Sequence, residues 1–207
     1  MKKFYLALMD FFWPEKRICP FCRQRAVTGC ICSQCREKIN FLQQETVSLA
    51  VYEGLMQEVI RRFKYHGETD LAYPLAQLMR EKFGELSGLI VPLPLHENKI
   101  RERGYNQTLV LAEALSEITY CRVYPALIRV KETVSQTTLN RYQRLHNVAG
   151  AFKTVLEVRG RRLVLLDDVL TTGATVNEAK RKLLLSGARE VKILTLAKGK
   201  LNSDENI

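Results

Sequence analysis

Histidine is scarce in this 207-residue chain, which has three, at positions 66, 96 and 146. Scattered in this way they match no metal-ligand spacing and form no Ser-His-Asp or Cys-His arrangement, so a nucleophile-based mechanism is not indicated. No apolar run approaches the roughly 18 residues of a membrane-spanning helix, and no internal repeat or low-complexity tract is visible. Hydrophobic residues make up 46% and charged residues 26%, which argues against wholesale disorder and collagen-like or multi-span membrane chains. The length suits one main core plus a small appendage rather than two full enzyme domains. Acidic residues are the other shortfall: 22 Asp plus Glu against 32 Lys plus Arg leave a formal charge of +10. Over half of that excess falls in residues 96–162, where 12 basic residues meet 6 acidic ones. Such a balance favours polyanionic partners, nucleic acid or phosphate esters, although a basic surface also serves solubility alone.

Residues 1–13 begin with Lys2 and Lys3 and an apolar run that resembles the start of a signal peptide, but Asp10 interrupts it and no small-residue cleavage site follows. Phe4, Leu8, Phe11 and Phe12 are instead expected on the apolar face of a short packed helix, in a cytoplasmic protein without a membrane span.

Five of the six cysteines lie within 17 residues, as Cys19-Pro-Phe-Cys22 and Cys30-Ile-Cys32-Ser-Gln-Cys35. Two residues between thiolates let a tight turn present both sulfurs to one ion, and two such knuckles complete the tetrahedral four-sulfur shell that zinc prefers. Regular spacing favours Cys19, Cys22, Cys32 and Cys35 and leaves Cys30 as a spare or an alternate ligand. A four-thiolate zinc is structural, since no coordination position stays open. It would supply much of the folding free energy of an appendage too short for its own core. Lys16, Arg17, Arg23, Arg25 and Arg36 surround the cluster, which leaves a nucleic-acid contact there open. Cys121 stands alone and reads as a buried small hydrophobe.

Beyond Phe41 the pattern alternates. Strands are expected at 48–52, 89–92, 127–130, 162–168 and 190–197, and helices at 54–64, 70–83, 106–118 and 175–186. This order argues for an α/β architecture: an open, mainly parallel sheet with helices on both faces. The expected division is 1–47 for the N-terminal helix and cysteine module, 48–200 for the main domain and 201–207 for a polar tail.

The strand at 162–168 ends in two adjacent carboxylates, Asp167 and Asp168, followed by Thr171-Thr172-Gly173-Ala174-Thr175 at the start of a helix. At the carboxyl end of a parallel strand both acids can reach one crevice. The turn's amides, the helix dipole and the threonine hydroxyls make a phosphate cradle that Gly173 allows a ligand to approach closely. Acids for sugar hydroxyls beside a phosphate cradle describe a ribose 5-phosphate site; helix capping by Asp168 or Thr172 is the bland alternative.

This stretch resembles the phosphoribosyl pyrophosphate (PRPP) motif of type I phosphoribosyltransferases. The cysteine knuckles, Phe63-Lys-Tyr-His-Gly67, Val91-Pro-Leu-Pro94, Arg103-Gly-Tyr-Asn-Gln107, Gln136 and residues 144–152 extend the resemblance to the ComF family. It implies a type I phosphoribosyltransferase fold behind a small four-cysteine zinc-knuckle domain, and a role in DNA uptake during natural transformation. It also implies that Asp167 and Asp168, the candidate catalytic residues, meet the ribose hydroxyls and that Thr171, Thr172, Gly173, Ala174 and Thr175 hold the 5-phosphate. Leu95, His96, Lys99, Arg101 and Arg103 fall in the pyrophosphate loop, and Gln136, Arg141 and Arg144 in a lid that closes over PRPP. Mg2+ would arrive with the ligand, held mostly by its oxygens and water. The role of Lys64, at a helix end, divides equally between structure and substrate. The acceptor is unassigned, and a DNA-uptake helicase is a partner suggested by the resemblance alone. A non-catalytic alternative is single-stranded DNA binding, with Tyr105, Tyr142 and Phe152 interleaved among arginines as stacking aromatics.

Overall fold

The computed structural model describes residues 18–24, 30–43, 45–131 and 148–199. The expected N-terminal helix, Lys16, Arg17, Arg25, the lid residues Gln136, Arg141 and Arg144, Tyr142 and the polar tail lie outside the described residues. Helix α1 (Ser33–Glu37) closes the cysteine module, and strand β1 (Ser48–Val51) and helix α2 (Gly54–Tyr65) follow. A 3-10 turn (Thr69–Leu71) leads into α3 (Ala72–Phe83), then β2 (Leu89–Pro92), α4 (Glu97–Arg103) and α5 (Gln107–Thr119). Strands β3 (Leu127–Arg129) and β4 (Phe152–Thr154) precede β5 (Arg162–Leu170), α6 (Ala174–Leu185) and β6 (Glu190–Lys198).

The main sheet has the order β1-β6-β5-β2, and every pairing in it is parallel. β5 is central, so its apolar run Leu163–Leu166 is buried on both faces, as parallel strands are. Alternation divides it. Val164 and Leu166 face Met56 and Phe63 of α2, Met79 of α3 and Leu111 of α5. Leu163 and Leu165 face Val176, Ala179 and Leu183 of α6, together with Leu127 and Phe152 of the antiparallel β3–β4 pair. Helices therefore cover both faces, as the alternating pattern predicts.

Three local outcomes differ from expectation. The helix expected at 70–83 starts as a 3-10 turn because Pro74 lacks the N–H that would close an α-turn onto Asp70. The strand expected to stop at Asp168 continues to Leu170, its end paired with Lys198. The segment expected to form a pyrophosphate loop contains a helix, α4, capped by His96, whose Nδ1 accepts from the N–H of Asn98 at 3.4 Å.

The cysteine module shares the core beneath α2 and α3. Cys19, Phe21, Ile31, Cys35 and Ile39 are buried in the same cluster as Met56 and Phe63. Arg62 of α2 donates to the carbonyl oxygens of Phe21 (2.7 Å) and Pro20 (2.9 Å) and pairs with Glu68 at 2.6 Å. Hydrogen bonding to Arg62, against the opposing effect of burial, brings Glu68 down to about 2.

Candidate functional site

The carboxyl end of β5 delivers its two acids between elements from three other parts of the chain. Leu93, just past β2, donates its N–H to Leu166 at 2.9 Å. The Leu93 carbonyl in turn accepts from Thr108 Oγ1 (2.6 Å) and Asn106 Nδ2 (3.2 Å). Asn106 also caps α5, its Oδ1 accepting from the N–H of Thr108 at 3.1 Å. These bonds bring the first turn of α5 beside β5, and Gln107 Nε2 donates to Asp168 Oδ2 at 2.5 Å. Lys64 arrives from the last turn of α2, with its Nζ 2.7 Å from Asp168 Oδ1. Arg103 donates to Gln107 Oε1 and lies over the Tyr65 ring, 4.9 Å from its centroid. Asp168 is thus 4% exposed and held through both oxygens.

Asp167 is less enclosed, and its Oδ1 accepts from the N–H of Asp168 at 2.8 Å. Burial first, and then the adjoining charge of Asp168, push its carboxyl up to about 7. Burial works against the Lys64 ammonium, but the charge of Asp168 and the hydrogen bond to it outweigh that effect and raise it. Arg129 reaches the same space from β3, over the Phe152 ring at 5.7 Å, and burial lowers it. The result is a cleft of about 400 Å³ in which Lys64, Arg103 and Arg129 face Asp167 and Asp168. Thr171 and Thr175 complete its wall. Gly173 stands at the N-cap of α6 with φ +79°, a left-handed conformation natural to glycine. Thr172 Oγ1 accepts from the N–H of Ala174 at 3.4 Å, whereas Asp168 bonds elsewhere and does not cap the helix.

Two comparisons bear on this geometry. Residues 106–205, which carry α5, β5 and α6, match the phosphoribosyl transferase domain family. The DNA utilization protein YhgH of Escherichia coli (strain K12) is 31% identical over 194 residues, covering 89% of this chain and 85% of that protein.

The chain belongs to the ComF family.

Two further relatives agree. Competence protein ComFC of Bacillus subtilis (strain 168) is 29% identical over 189 residues, covering 86% of this chain and 77% of that protein. Competence protein F of Haemophilus influenzae is 29% identical over 206 residues, covering 87% and 90%.

Of the residues expected at the site, Asp167, Asp168, Thr171 and Thr175 line the cleft, as do Leu95 and Arg103 of the segment expected to form a pyrophosphate loop. Lys99 and Arg101 do not reach it; they lie on exposed α4 beside Glu102 (3.9 Å) and Glu97 (3.6 Å). One expected stacking aromatic is corrected: Phe152 is a 3%-exposed core residue. Tyr105 is half-buried, its hydroxyl donating to the Phe63 carbonyl. Arg129 carried no sequence signal: a three-residue strand with one arginine has no motif, and its approach depends on β3 pairing with β4. Gln107 and Lys64 were visible in motifs, but not their meeting at Asp168.

At the other end of the ComF-family chain, Cys19, Cys22, Cys32 and Cys35 form a group whose sulfurs lie within 4.8 Å of one another and could hold a metal ion. A tetrahedral zinc with Zn–S of about 2.3 Å places its sulfurs roughly 3.8 Å apart, and Cys22 and Cys32 stand at 3.7 Å. Burial acts against the Cys19 thiolate, yet the N–H groups of Cys22, Cys32 and Phe21 bring it down to about 7. Cys30 is not in the group. Cys121 is buried as expected, its Sγ donating to the Leu86 carbonyl at 3.1 Å. No described helix is long and apolar enough to cross a membrane.

Proposed function

We propose that this chain binds PRPP with magnesium in the β5 cleft and transfers the phosphoribosyl group to a nitrogen acceptor. One observation carries the reading: paired acids at the carboxyl end of β5 share a cleft with the glycine-threonine turn at the N-terminus of α6. In the reaction the bond from the anomeric carbon to pyrophosphate oxygen breaks, pyrophosphate leaves with the electron pair, a bond to nitrogen forms and the nitrogen's proton passes to solvent. Asp167 and Asp168 accept from the ribose hydroxyls and stabilise the developing positive charge on the ring. An ionised carboxylate offers about four lone-pair positions, so Asp168 accepts a hydroxyl while keeping Lys64 and Gln107. The α6 turn takes the 5-phosphate, and Arg103 stands ready for the leaving pyrophosphate. With Asp168 already engaged, the cleft is no all-protein cage for magnesium; the ion would be held mostly by pyrophosphate oxygens and water and would supply neutralisation of their charge. Cys19, Cys22, Cys32 and Cys35 would hold a structural zinc.

The competence and DNA-utilization names of the relatives, with the charge of +10, favour a second reading in which the chain handles DNA and the fold serves as a binding module. Calorimetric titration separates the two. PRPP should bind in the presence of magnesium and lose measurable affinity in the Asp167→Asn, Asp168→Asn double variant. No heat with PRPP under any magnesium condition defeats the first reading.

A further inference from the structure

A basic concavity lies at the opposite edge of the sheet. The amino ends of β2, β5 and β6 open there into a cavity of about 720 Å³ lined by Arg122, Arg161, Arg162 and Arg189, with no carboxylate in its wall. Five residues of β5 separate Arg162 from Asp167, about 17 Å at the usual strand rise, so this space is distinct from the β5 cleft. The arginines form an arc because the sheet orders their attachment points. Arg122 lies beside the start of β2, its carbonyl accepting from Ile90 at 2.9 Å. Arg162 opens β5, and Arg189 immediately precedes β6.

Two of the four guanidiniums have other engagements. Arg162 Nε stands 3.7 Å from Glu190, with both side chains about half exposed. Arg161 lies over the Tyr124 ring. Arg122 and Arg189 form no ion pair among the described residues. Planar forks concentrated in this way match phosphate oxygens bidentately, which an equal number of lysines would not. A second feature points to more than a bare anion. Tyr120 also lines the cavity, is 92% exposed and occupies a left-handed φ of 58° at the end of α5. An aromatic ring presented to water beside arginines is the composition of a base-stacking platform.

We infer that the amino edge of the sheet carries a second site, for a nucleotide phosphate, in which the four arginines hold the phosphate and Tyr120 stacks on the base. Its source is either the backbone of a single strand or a free nucleotide, and the site is independent of PRPP binding. Fluorescence anisotropy with labelled oligothymidylate, and competition by free thymidylate and inorganic phosphate, test it. In Arg162→Ala, Arg189→Ala, binding should weaken about tenfold and the slope of log affinity against log salt should flatten by about 1.4. Tyr120→Ala should weaken nucleotide binding about fivefold or more. Competition by free thymidylate at comparable affinity assigns a free nucleotide; failure to compete assigns the strand. PRPP titrations of these variants should match the parent chain, and Asp167→Asn, Asp168→Asn should leave oligothymidylate affinity unchanged, so that failure of either site is seen apart from the other. Binding of neither nucleotide probe to the parent chain, unchanged affinity in the arginine variant, indifference to Tyr120→Ala, or competition by inorganic phosphate as strong as by thymidylate would each overturn the assignment.

Discussion

Asp167 is the carboxylate among the described residues whose environment most opposes its charge. Its ordinary value of about 4 is raised to about 7 by burial and by Asp168. The folded chain therefore holds this proton more tightly than the unfolded one, so the group's contribution to stability falls as pH climbs from about 4 to about 7 and is level above that. Each unit of separation corresponds to about 1.4 kcal/mol. Asp167→Asn, which keeps an acceptor for the Asp168 N–H, should raise the melting temperature of the ligand-free protein at about pH 8 and raise it less at about pH 5. Calorimetric scans at the two pH values check this, and an equal gain at both would contradict it. PRPP affinity in the parent chain should rise over the same interval as Asp167 ionises. Lys64 has the complementary role, since its ammonium is the counter-charge of a 4%-exposed carboxylate. Lys64→Met should cost roughly 3 kcal/mol in denaturant unfolding, because the carboxylate stays buried without its cation. Adding Asp168→Asn should recover part of that loss, which is the coupling a double-mutant cycle reads.

Turns decide whether the elements can come close enough to make the site. Gly173 lets β5 turn directly into α6, and a Cβ there would occupy left-handed backbone and stand 3.2 Å from Asn177 Nδ2. Gly173→Ala should destabilise by about 1 kcal/mol and weaken PRPP more than the stability loss explains, because the same turn carries the amides offered to phosphate. Gly88 is more constrained. At φ +116° its missing Cβ leaves room for the Arg162 carbonyl, which a methyl group would meet at 2.5 Å. Gly88→Ala therefore has to pry β2 from the start of β5, and thermal unfolding should show a larger loss than at Gly173.

Across the whole molecule, Arg62 joins the cysteine module to the sheet domain. It is 11% exposed, and its guanidinium satisfies two knuckle carbonyls and Glu68. Arg62→Ala leaves those acceptors in a half-buried seam and should cost about 2 kcal/mol or more. Bound metal should also pass faster to a chelator, although every cysteine is intact. Metal-release kinetics that match the parent chain would show that the module is held in some other way. Lys82 makes a comparable tie on the far side of β1, its Nζ donating to the carbonyls of Leu42 (2.9 Å) and Ser48 (2.7 Å).

The sequence by itself determined the alternation of strand and helix, the apolar run of β5, the acids at its end and the clustering of five cysteines, from which the structure leaves out Cys30. Each of these is written in neighbouring residues: period-2 and period-3.6 patterns, a glycine-threonine turn, paired thiols with two residues between them. Only the tertiary structure decided that Lys64, Arg103, Gln107 and Arg129 converge on the two acids and that four arginines share the opposite edge. Those side chains come from segments far apart in the chain, and strand order and register bring them together through burial of the faces of β5, which no local spacing records. The same reason accounts for Phe152, whose flanking basic residues suggest an exposed platform although β3–β4 pairing turns its ring into the core.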